Sequence, residues 1–202
     1  MAKSYTVMDI INLSANNRQK VLKQAASALA SSKNVICPTD TVYGLLANAT
    51  DNRAVAKVYR IKQRDPNKPL PVFLESIEAA EAIAAVSPGD QKKLRAAWPG
   101  KTTFVLDLKP GIDIPAAEGK KIALRVPSHE FLLDLLKMVN FPVTATSANI
   151  AGSGPYVEIA DVLAEFKIRN EQPDLVIDAG NLPPTKPSTI VDLTDNEKIL
   201  RP

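Results

Sequence analysis

The chain has 202 residues, with one cysteine, one histidine and a formal net charge of +3. This length suits one domain with its own core, and the residue counts exclude an intramolecular disulfide and a Cys/His metal site. The mild charge permits contact with nucleic acid without arguing for it. The first residues have no signal-peptide pattern, and no apolar run approaches the roughly 18 residues that span a bilayer. We therefore expect a single domain over residues 1–202, in the reducing cytoplasm and without a membrane segment.

Helices and short strands alternate in the first part of the chain. Apolar spacing predicts a helix over Arg18–Ser31 and a second helix that is capped by Asp51. Asn34 is expected to end the first helix in a left-handed conformation. Val35–Cys37 and Leu70–Leu74 have the apolar content of buried strands. These elements predict a fold that mixes helices and strands.

The second part of the chain continues the alternation. Ser87–Asp90 combines a serine cap, a proline at the first helical position and an acid three residues after the cap, which predicts a helix start. Further helices are predicted from Ser128 and from near Glu158, and further strands at 102–108, 122–126, 142–146, 175–177 and 189–191. Some of these strands follow one another without a helix between them. The sequence therefore predicts an α/β fold with a mixed sheet.

Three cations lie within seven residues in the loop that follows the second helix. Arg64 offers a planar fork that can hold phosphate oxygens, while Lys62 and Lys68 act as mobile point charges. The residues before Pro66 and Pro69 are kept out of the helical region, which stiffens the loop. This pattern predicts a phosphate-binding loop, and a solvated basic turn is the alternative.

A second candidate site is the turn Ser147–Asn149, which follows a predicted strand and precedes the small residues Gly152–Pro155. Small residues let backbone N–H groups approach an anion closely, and the serine and asparagine side chains add donors. The carboxyl end of a strand is where α/β folds usually bind ligands. The turn therefore predicts an anion site, and an ordinary glycine-rich connection with a helix cap is the alternative.

Other chemical patterns in the chain are weaker. Gly100–Thr102 resembles the end of a P-loop, but Arg95 stands where the first glycine is required, so we reject that motif. Cys37 and His129 could form a nucleophilic pair in principle. Because nothing in the sequence orients them, we expect a core cysteine and a surface histidine.

Two charged residues are expected near a site but have open roles. Asp40 is a candidate for a magnesium ligand, for a hydrogen bond close to the site, or for a turn residue. Arg125 is a single charge in an apolar strand, which is costly unless the charge is paired or meets a ligand. A buried ion pair and a ligand contact are both open for Arg125.

Taken in order, several segments resemble the threonylcarbamoyl-adenylate synthases, the proteins with a YrdC-type domain. The matching segments are Pro38–Leu45, Lys62-x-Arg64 with Lys68–Leu70, Trp98–Gly100, Arg125–Pro127, Ser147–Asn149 with Gly152, and Ser188–Asp192. The resemblance extends from about Val35 to Arg201. Single segments are weak, but the ordered set that includes Lys-x-Arg and Ser-x-Asn is specific.

The resemblance implies a twisted mixed β-sheet, flanked by helices, around a positively charged concave cleft. It implies a nucleotidyltransferase that converts L-threonine, bicarbonate or CO2, and ATP into threonylcarbamoyl-AMP and pyrophosphate, with Mg2+. Partner proteins then transfer the threonylcarbamoyl group to an adenosine of tRNA. Direct contact with tRNA stays open, and neither DNA nor a membrane is expected as a partner.

The resemblance also assigns residues. The nucleotide side is matched by Lys62, Arg64, Lys68, Ser147, Asn149 and Arg201, and the threonine side by Thr41, Arg125 and Ser188. Of these, Lys62, Arg64, Ser147 and Asn149 are expected to be catalytic, and no protein residue is expected to ligate a metal. No protein nucleophile is needed, because positioning and neutralisation of anionic species by cations can carry most of the catalysis.

The chain departs from the family pattern at two positions. Phe73 stands where many members have a histidine that contacts threonine, and Lys101 follows Gly100 where many have proline. We expect the chain to lack the additional C-terminal domain of longer relatives. The alternative functions are a non-catalytic module that binds RNA with the same cleft, and a carbamoyl-adenylate enzyme of the hydrogenase-maturation type. Few aromatic residues are available to stack on bases, which counts against the RNA-binding module.

Overall fold

The computed structural model describes residues 8–194 and 197–202. The helices in these ranges are α1 (Arg18–Ala30), α2 (Asn52–Lys62), α3 (Ile77–Ile83), α4 (Pro88–Ala97), α5 (Glu130–Val139) and α6 (Ile159–Lys167). The strands are β1 (Asp9–Asn12), β2 (Val35–Cys37), β3 (Gly44–Leu46), β4 (Val72–Phe73), β5 (Thr102–Asp107), β6 (Lys121–Arg125), β7 (Val143–Thr144), β8 (Thr146–Ser147), β9 (Leu175–Asp178), β10 (Thr189–Asp192) and β11 (Lys198–Arg201). None of these helices combines the length and the apolar composition that crossing a bilayer requires.

The strands form two mixed sheets. One sheet has the order β1-β9-β2-β3-β8 and the other has the order β11-β10-β5-β6-β4-β7. Each sheet contains parallel and antiparallel pairs, which confirms the predicted α/β class with mixed pairing. We predicted one sheet, and the segment 142–146 explains the difference. It divides at Ala145 into β7, which joins the six-stranded sheet, and β8, which joins the five-stranded sheet.

The starts of α2 and α4 follow the caps that the sequence predicts. The Asp51 side chain accepts hydrogen bonds from the backbone N–H groups of Arg53 and Ala54 at the start of α2. Ser87 and Asp90 form the capping box of α4. Because each of these caps joins residues at most three positions apart, local sequence is sufficient to predict it.

Two predicted helix boundaries are wrong. Helix α1 ends before Ser32, which takes the left-handed conformation with φ of 60°, so Asn34 does not end the helix. Asn34 is fully buried, and its side-chain amide donates to the carbonyl of Ala54. At α5, the cap is His129, whose Nδ1 accepts from the N–H of Leu132. Ser128, the predicted cap, has a different role in the site described below.

Buried apolar residues form two clusters. The larger cluster lies against α2, α4 and both sheets and includes Tyr43, Leu45 and Trp98. The α1–α5 cluster contains Val21, Leu22, Ala25, Leu29, Val35, Cys37, Leu46, Phe73, Phe131, Leu132, Leu135, Leu136, Val143, Leu175 and Ile177. Cys37 is fully buried there, as predicted, and burial raises the pKa of its thiol. A buried thiol is a poor nucleophile, so Cys37 is a core residue.

Candidate functional site

A cleft of about 820 Å3 lies where the two sheets meet. Residues of β4, β5, β6, β10 and β11 line it from the six-stranded sheet. Residues of β8 line it from the five-stranded sheet, together with Thr39, Thr41, Val42 and Gly44. The loop after α2 and the loop after β8 supply further walls. The volume falls in the range of about 300–1,000 Å3 that is usual for small-molecule and cofactor sites.

The strand register places five cleft residues in one row across the six-stranded sheet. Phe73 on β4 is opposite Arg125 on β6, and Ile190 on β10 is opposite both Thr103 on β5 and Arg201 on β11. Val105 on β5 is opposite Ala123 on β6, and two residues further along this antiparallel pair are Thr103 and Arg125. Residues that are opposite each other have side chains on the same face of a sheet. We call these residues the floor row: Phe73, Arg125, Thr103, Ile190 and Arg201.

Two cleft arginines are anchored by one edge of the guanidinium. Arg64 donates from Nε to the carbonyl of Lys68 at 3.4 Å and from Nη2 to the carbonyl of Pro69 at 3.0 Å. Arg201 donates from Nε to the Ser188 carbonyl at 2.8 Å and from Nη2 to Ser188 Oγ at 2.9 Å. For both arginines, Nη1 has no hydrogen-bond partner within residues 8–194 and 197–202. Each guanidinium is therefore fixed in place with donors left for a ligand.

Arg125 is anchored in the same way but is also neutralised. Its Nε donates to the Gly100 carbonyl at 2.8 Å, and its Nη2 donates to Asp40 Oδ1 at 2.6 Å. Burial lowers the pKa of Arg125, and the Asp40 carboxylate opposes that shift. Nη1 again has no partner in the described part of the chain. Of the two roles that the sequence leaves open for Arg125, the buried ion pair is present, and the position in the cleft also allows a ligand contact.

Asp40 holds two segments of the chain together. Its Oδ2 accepts hydrogen bonds from the backbone N–H of Ser128 at 3.0 Å and from Ser128 Oγ at 2.8 Å, while Oδ1 accepts from Arg125. Both carboxylate oxygens are therefore occupied. This geometry supports the hydrogen-bonding role of Asp40 near the site and not the role of a magnesium ligand.

The loop after β8 is closed by its own side chains. Ser147 Oγ donates to Asn149 Oδ1, and Asn149 Nδ2 donates to the carbonyls of Ile150 at 2.9 Å and Ser153 at 2.6 Å. Ser147, Asn149 and Ser153 line the cleft. The internal bonds hold the loop in a defined shape, and the anion site expected at this turn stays a prediction.

Lys62 lies beneath this loop and not in the cleft. Its Nζ donates to the carbonyls of Ser147 at 2.5 Å and Asn149 at 2.7 Å, and to Asn149 Oδ1 at 3.3 Å. The residue is 2% exposed and is not among the residues that line the cleft. The sequence predicted a mobile point charge, whereas the ammonium is fixed by three acceptors. Lys62 therefore shapes the loop that Ser147 and Asn149 present.

Burial and the nearby charge of Arg64 lower the pKa of Lys62 from 10.5 to about 7. In the unfolded chain the same lysine keeps its proton up to about 10.5, so the unfolded state binds more protons between these two pH values. We expect Lys62 to make the free energy of unfolding rise with pH in this window, by at most about 1.4 kcal/mol per pH unit. Urea unfolding of wild type and Lys62→Met at pH 7, 8 and 9 measures this. A difference between the two proteins that stays constant with pH contradicts the prediction.

The structure brings together most, but not all, of the expected site residues. The cleft is lined by Thr41, Arg64, Arg125, Ser147, Asn149, Ser188 and Arg201. Lys68 is exposed and does not line the cleft, although its carbonyl accepts from Arg64 and from the Tyr59 hydroxyl. Lys62 acts from beneath, as described above. The assignment of these residues to bound substrates stays a prediction.

Sequence reasoning missed Thr103. This residue is 2% exposed, lines the cleft and donates from Oγ1 to Ser188 Oγ at 3.2 Å. The sequence held one signal for it. Because side chains alternate along the predicted strand 102–108, Thr103 and Val105 share a sheet face, and both line the cleft. Only the pairing of β5 with β6 and β10 identifies that face as the cleft floor.

Charged side chains of both signs line the cleft. The cations are Arg64, Lys121, Arg125 and Arg201, and the carboxylates are Glu118 and Asp192. Lys121 Nζ lies 3.5 Å from Asp192 Oδ2, and Arg125 is paired with Asp40. Arg64 and Arg201 therefore have no carboxylate partner among the described residues, and they are the best placed to meet an anion. The predicted positive field of the whole cleft stays a prediction.

The fold and the cleft define a class of protein: a mixed α/β domain with anchored arginines in a cleft between its two sheets. A family model described as "Telomere recombination", which covers the Sua5, YciO and YrdC proteins, matches residues 27–202. The chain therefore belongs to the Sua5/YciO/YrdC family, as its motifs indicate.

Two relatives and a solved structure show how far the similarity extends. A Methanocaldococcus jannaschii protein, provisionally named threonylcarbamoyl-AMP synthase, is 36% identical over 194 residues, which cover 96% of this chain and 90% of the relative. The threonylcarbamoyl-AMP synthase of Pyrococcus abyssi is 33% identical over 193 residues, which cover 95% of this chain and 56% of the relative. The crystal structure of P. abyssi Sua5 complexed with L-threonine superposes with a TM-score of 0.86 at 30% identity, covering 98% of this chain and 57% of that chain. This chain thus spans a little over half of the P. abyssi proteins.

Proposed function

We propose that this protein is an L-threonylcarbamoyladenylate synthase. It condenses L-threonine, bicarbonate or CO2, and ATP into threonylcarbamoyl-AMP and pyrophosphate. The observation that carries the proposal is the cleft, where Arg64 and the Ser147–Asn149 loop line the same cavity as Thr41 and Arg125. The names of the two relatives and the L-threonine in the P. abyssi structure support the same activity.

The chemistry needs anionic groups to be held close together. The amine of threonine bonds to the carbon of CO2 and loses a proton, which gives a carbamate. A carbamate oxygen then attacks the α-phosphorus of ATP, and the bond from that phosphorus to the bridging oxygen of pyrophosphate breaks. Starting from bicarbonate, one water is released in addition. Fixed cations that are complementary to the developing charge lower the barrier without a protein nucleophile.

The cleft offers two ends for these substrates. In our proposal, Arg64 holds the triphosphate together with the Ser147 hydroxyl and the Asn149 amide, which exchange their bonds within the loop for bonds to phosphate. Lys68 lies at the outer rim of the site, and Arg201 contacts the nucleotide across the floor row. Arg125 receives the threonine carboxylate at Nη1, and the hydroxyls of Thr41 and Ser188, which line the same cleft, contact threonine in this proposal. Lys62 supports catalysis by positioning the loop carbonyls and not by contacting phosphate.

Magnesium fits this site only with the help of the substrate. No group of three or more His, Cys, Asp or Glu side chains within the described ranges could hold a metal ion. Protein sites bind Mg2+ through one or two carboxylates together with substrate phosphates and water. Glu118 lines the cleft, whereas Asp40 and Asp192 are held by protein donors. We propose that Mg2+ would be held chiefly by the triphosphate of ATP and would supply neutralisation of the negative charge on pyrophosphate.

The proposal also covers what happens to the product. Threonylcarbamoyl-AMP is a reactive mixed anhydride, so we propose that partner proteins use it to modify an adenosine of tRNA in the cytoplasm.

We expect pyrophosphate release from ATP to require both L-threonine and bicarbonate. Arg64→Ala should lower the rate at least about tenfold, because it removes charge-assisted hydrogen bonds to phosphate. The matched control is Arg60→Ala in the last turn of α2, four residues before Arg64, since Arg60 is half exposed and pairs with Glu171 on the surface. Its rate should equal that of wild type. Release that does not depend on threonine contradicts the synthase, and a salt titration of RNA binding then tests the RNA-binding alternative.

A further inference from the structure

We propose that Phe73 is a positioning residue that sets the direction of the Arg125 guanidinium in the cleft. The inference rests on the proposed function in one respect, namely that Arg125 receives the carboxylate of threonine. The contact between the two side chains belongs to the fold itself and stands without that assignment.

The sheet brings the two residues side by side. Phe73 on β4 is directly opposite Arg125 on β6, and the Arg125 Cζ lies 5.7 Å from the centroid of the Phe73 ring. This separation is within the range of about 6 Å for a cation–π interaction. Phe73 is 4% exposed and Arg125 is 3% exposed, so water screens the contact weakly. Phe73 also belongs to the α1–α5 cluster, which fixes the position of the ring.

The ring supplies a restraint that the hydrogen bonds of Arg125 leave open. The bonds from Nε to Gly100 and from Nη2 to Asp40 hold one edge of the guanidinium. The plane can still rock about that edge, and rocking changes where Nη1 points. A ring against the guanidinium opposes this motion. Because phenylalanine neither donates nor accepts a hydrogen bond, the ring leaves the donors of Nη1 free for a ligand.

Phe73 also makes one wall of the cleft apolar. Pro71 and Ala145 line the cleft with Phe73, and none of these three side chains can hydrogen-bond to a ligand. A ligand that bonds to Nη1 of Arg125 therefore combines a carboxylate with a small body that tolerates this wall. An amino acid of the size of threonine has this combination.

Three variants test the role of Phe73. Phe73→Leu keeps an apolar side chain but removes the ring, and Phe73→Tyr keeps the ring. The matched control is Phe131→Leu, because Phe131 lies in the same apolar cluster and packs against Arg18 at 5.9 Å, away from the cleft. The measurements are KM for L-threonine, KM for ATP and kcat in the pyrophosphate assay, and the dissociation constant of L-threonine by calorimetry.

We expect Phe73→Leu to raise the KM and the dissociation constant for L-threonine about five- to thirty-fold, the range of a poorly screened cation–π contact. KM for ATP should change less than about twofold, and Phe73→Tyr and Phe131→Leu should stay close to wild type. The inference is overturned if KM for threonine is unchanged in Phe73→Leu, if KM for ATP rises equally, or if Phe73→Tyr is as weak as Phe73→Leu. If wild type binds threonine but the Phe73 variants give one of these contrary results, the inference about Phe73 fails and the proposed function stands. A wild type without threonine binding contradicts both.

Discussion

Replacing Lys62 by methionine is expected to lower kcat/KM for threonine-dependent pyrophosphate release about 100-fold, the loss that a misplacement of about 1 Å can cause. The ammonium bonds to the carbonyls of Ser147 and Asn149 and to Asn149 Oδ1. Methionine fills a similar volume but leaves these acceptors without a donor. The loop that faces the cleft is therefore expected to move. Steady-state kinetics with varied ATP and varied L-threonine measure the effect.

The Lys62 substitution should lower the stability of the protein as well as its activity. A buried polar group that loses its partner costs about 1–3 kcal/mol, so the free energy of unfolding of Lys62→Met should fall by about that amount near neutral pH. Removing the desolvation cost of the buried charge opposes this loss. Urea unfolding separates the two effects from catalysis, because a stable but inactive variant shows that the loss lies in the loop geometry.

The matched control is Lys57→Met. Lys57 lies on the same helix, and its Nζ pairs with Asp174 at 2.6 Å, away from the cleft-lining residues. This variant should keep wild-type kinetics even if it loses some stability. Equal losses of activity in both variants would mean that α2, and not the Lys62 bonds, controls the site. Wild-type activity of Lys62→Met would show that Ser147 and Asn149 hold the loop without the lysine.

Local sequence was sufficient for the elements that local contacts define. Asp51 and Ser87 cap helices α2 and α4 because a short polar side chain stands next to an apolar helical repeat. The same approach failed at Ala145. The segment 142–146 predicts one strand there, but which sheet each half joins depends on partners such as Gly44 and Phe73, which lie far away in sequence.

In the candidate site, too, the sequence shows which types of residue are present but not which partners they contact. The sequence identifies Arg64, Arg125 and the Ser147–Asn149 turn because charges and small residues interrupt apolar patterns. It cannot show that Lys62 turns away from the cleft, since its acceptors lie 85 and 87 positions later. The partner of Arg125 is equally remote. Sequence patterns thus pointed to most of the residues that line the cleft, but long-range contacts decide which of them face it and which partners they have.

The ion pair between Asp40 and Arg125 leads to the largest stability effect that we expect. Asp40→Ala should lower the free energy of unfolding by about 3–5 kcal/mol, the cost of leaving a buried charge without its partner. The two side chains are 8% and 4% exposed, and their closest N and O atoms are 2.6 Å apart. The substitution also removes the acceptor of Ser128 N–H and Oγ. Urea unfolding measures the loss, and the slope of the free energy of unfolding against urea concentration should be the same in both proteins.

Asp134→Ala provides the matched comparison. Asp134 pairs with Arg18 at the same distance of 2.6 Å, but the side chains are 41% and 31% exposed. An exposed pair contributes about 0–1 kcal/mol, so the difference between the two alanine variants reports burial together with the lost Ser128 bonds. Asp40→Asn should fall between them, because its amide oxygen still accepts from Ser128 while the charge is lost. If Asp40→Ala costs no more than Asp134→Ala, water in the cleft solvates Arg125. The guanidinium would then be held chiefly by Gly100 and Phe73, and the effect of Phe73→Leu on threonine binding should be correspondingly larger.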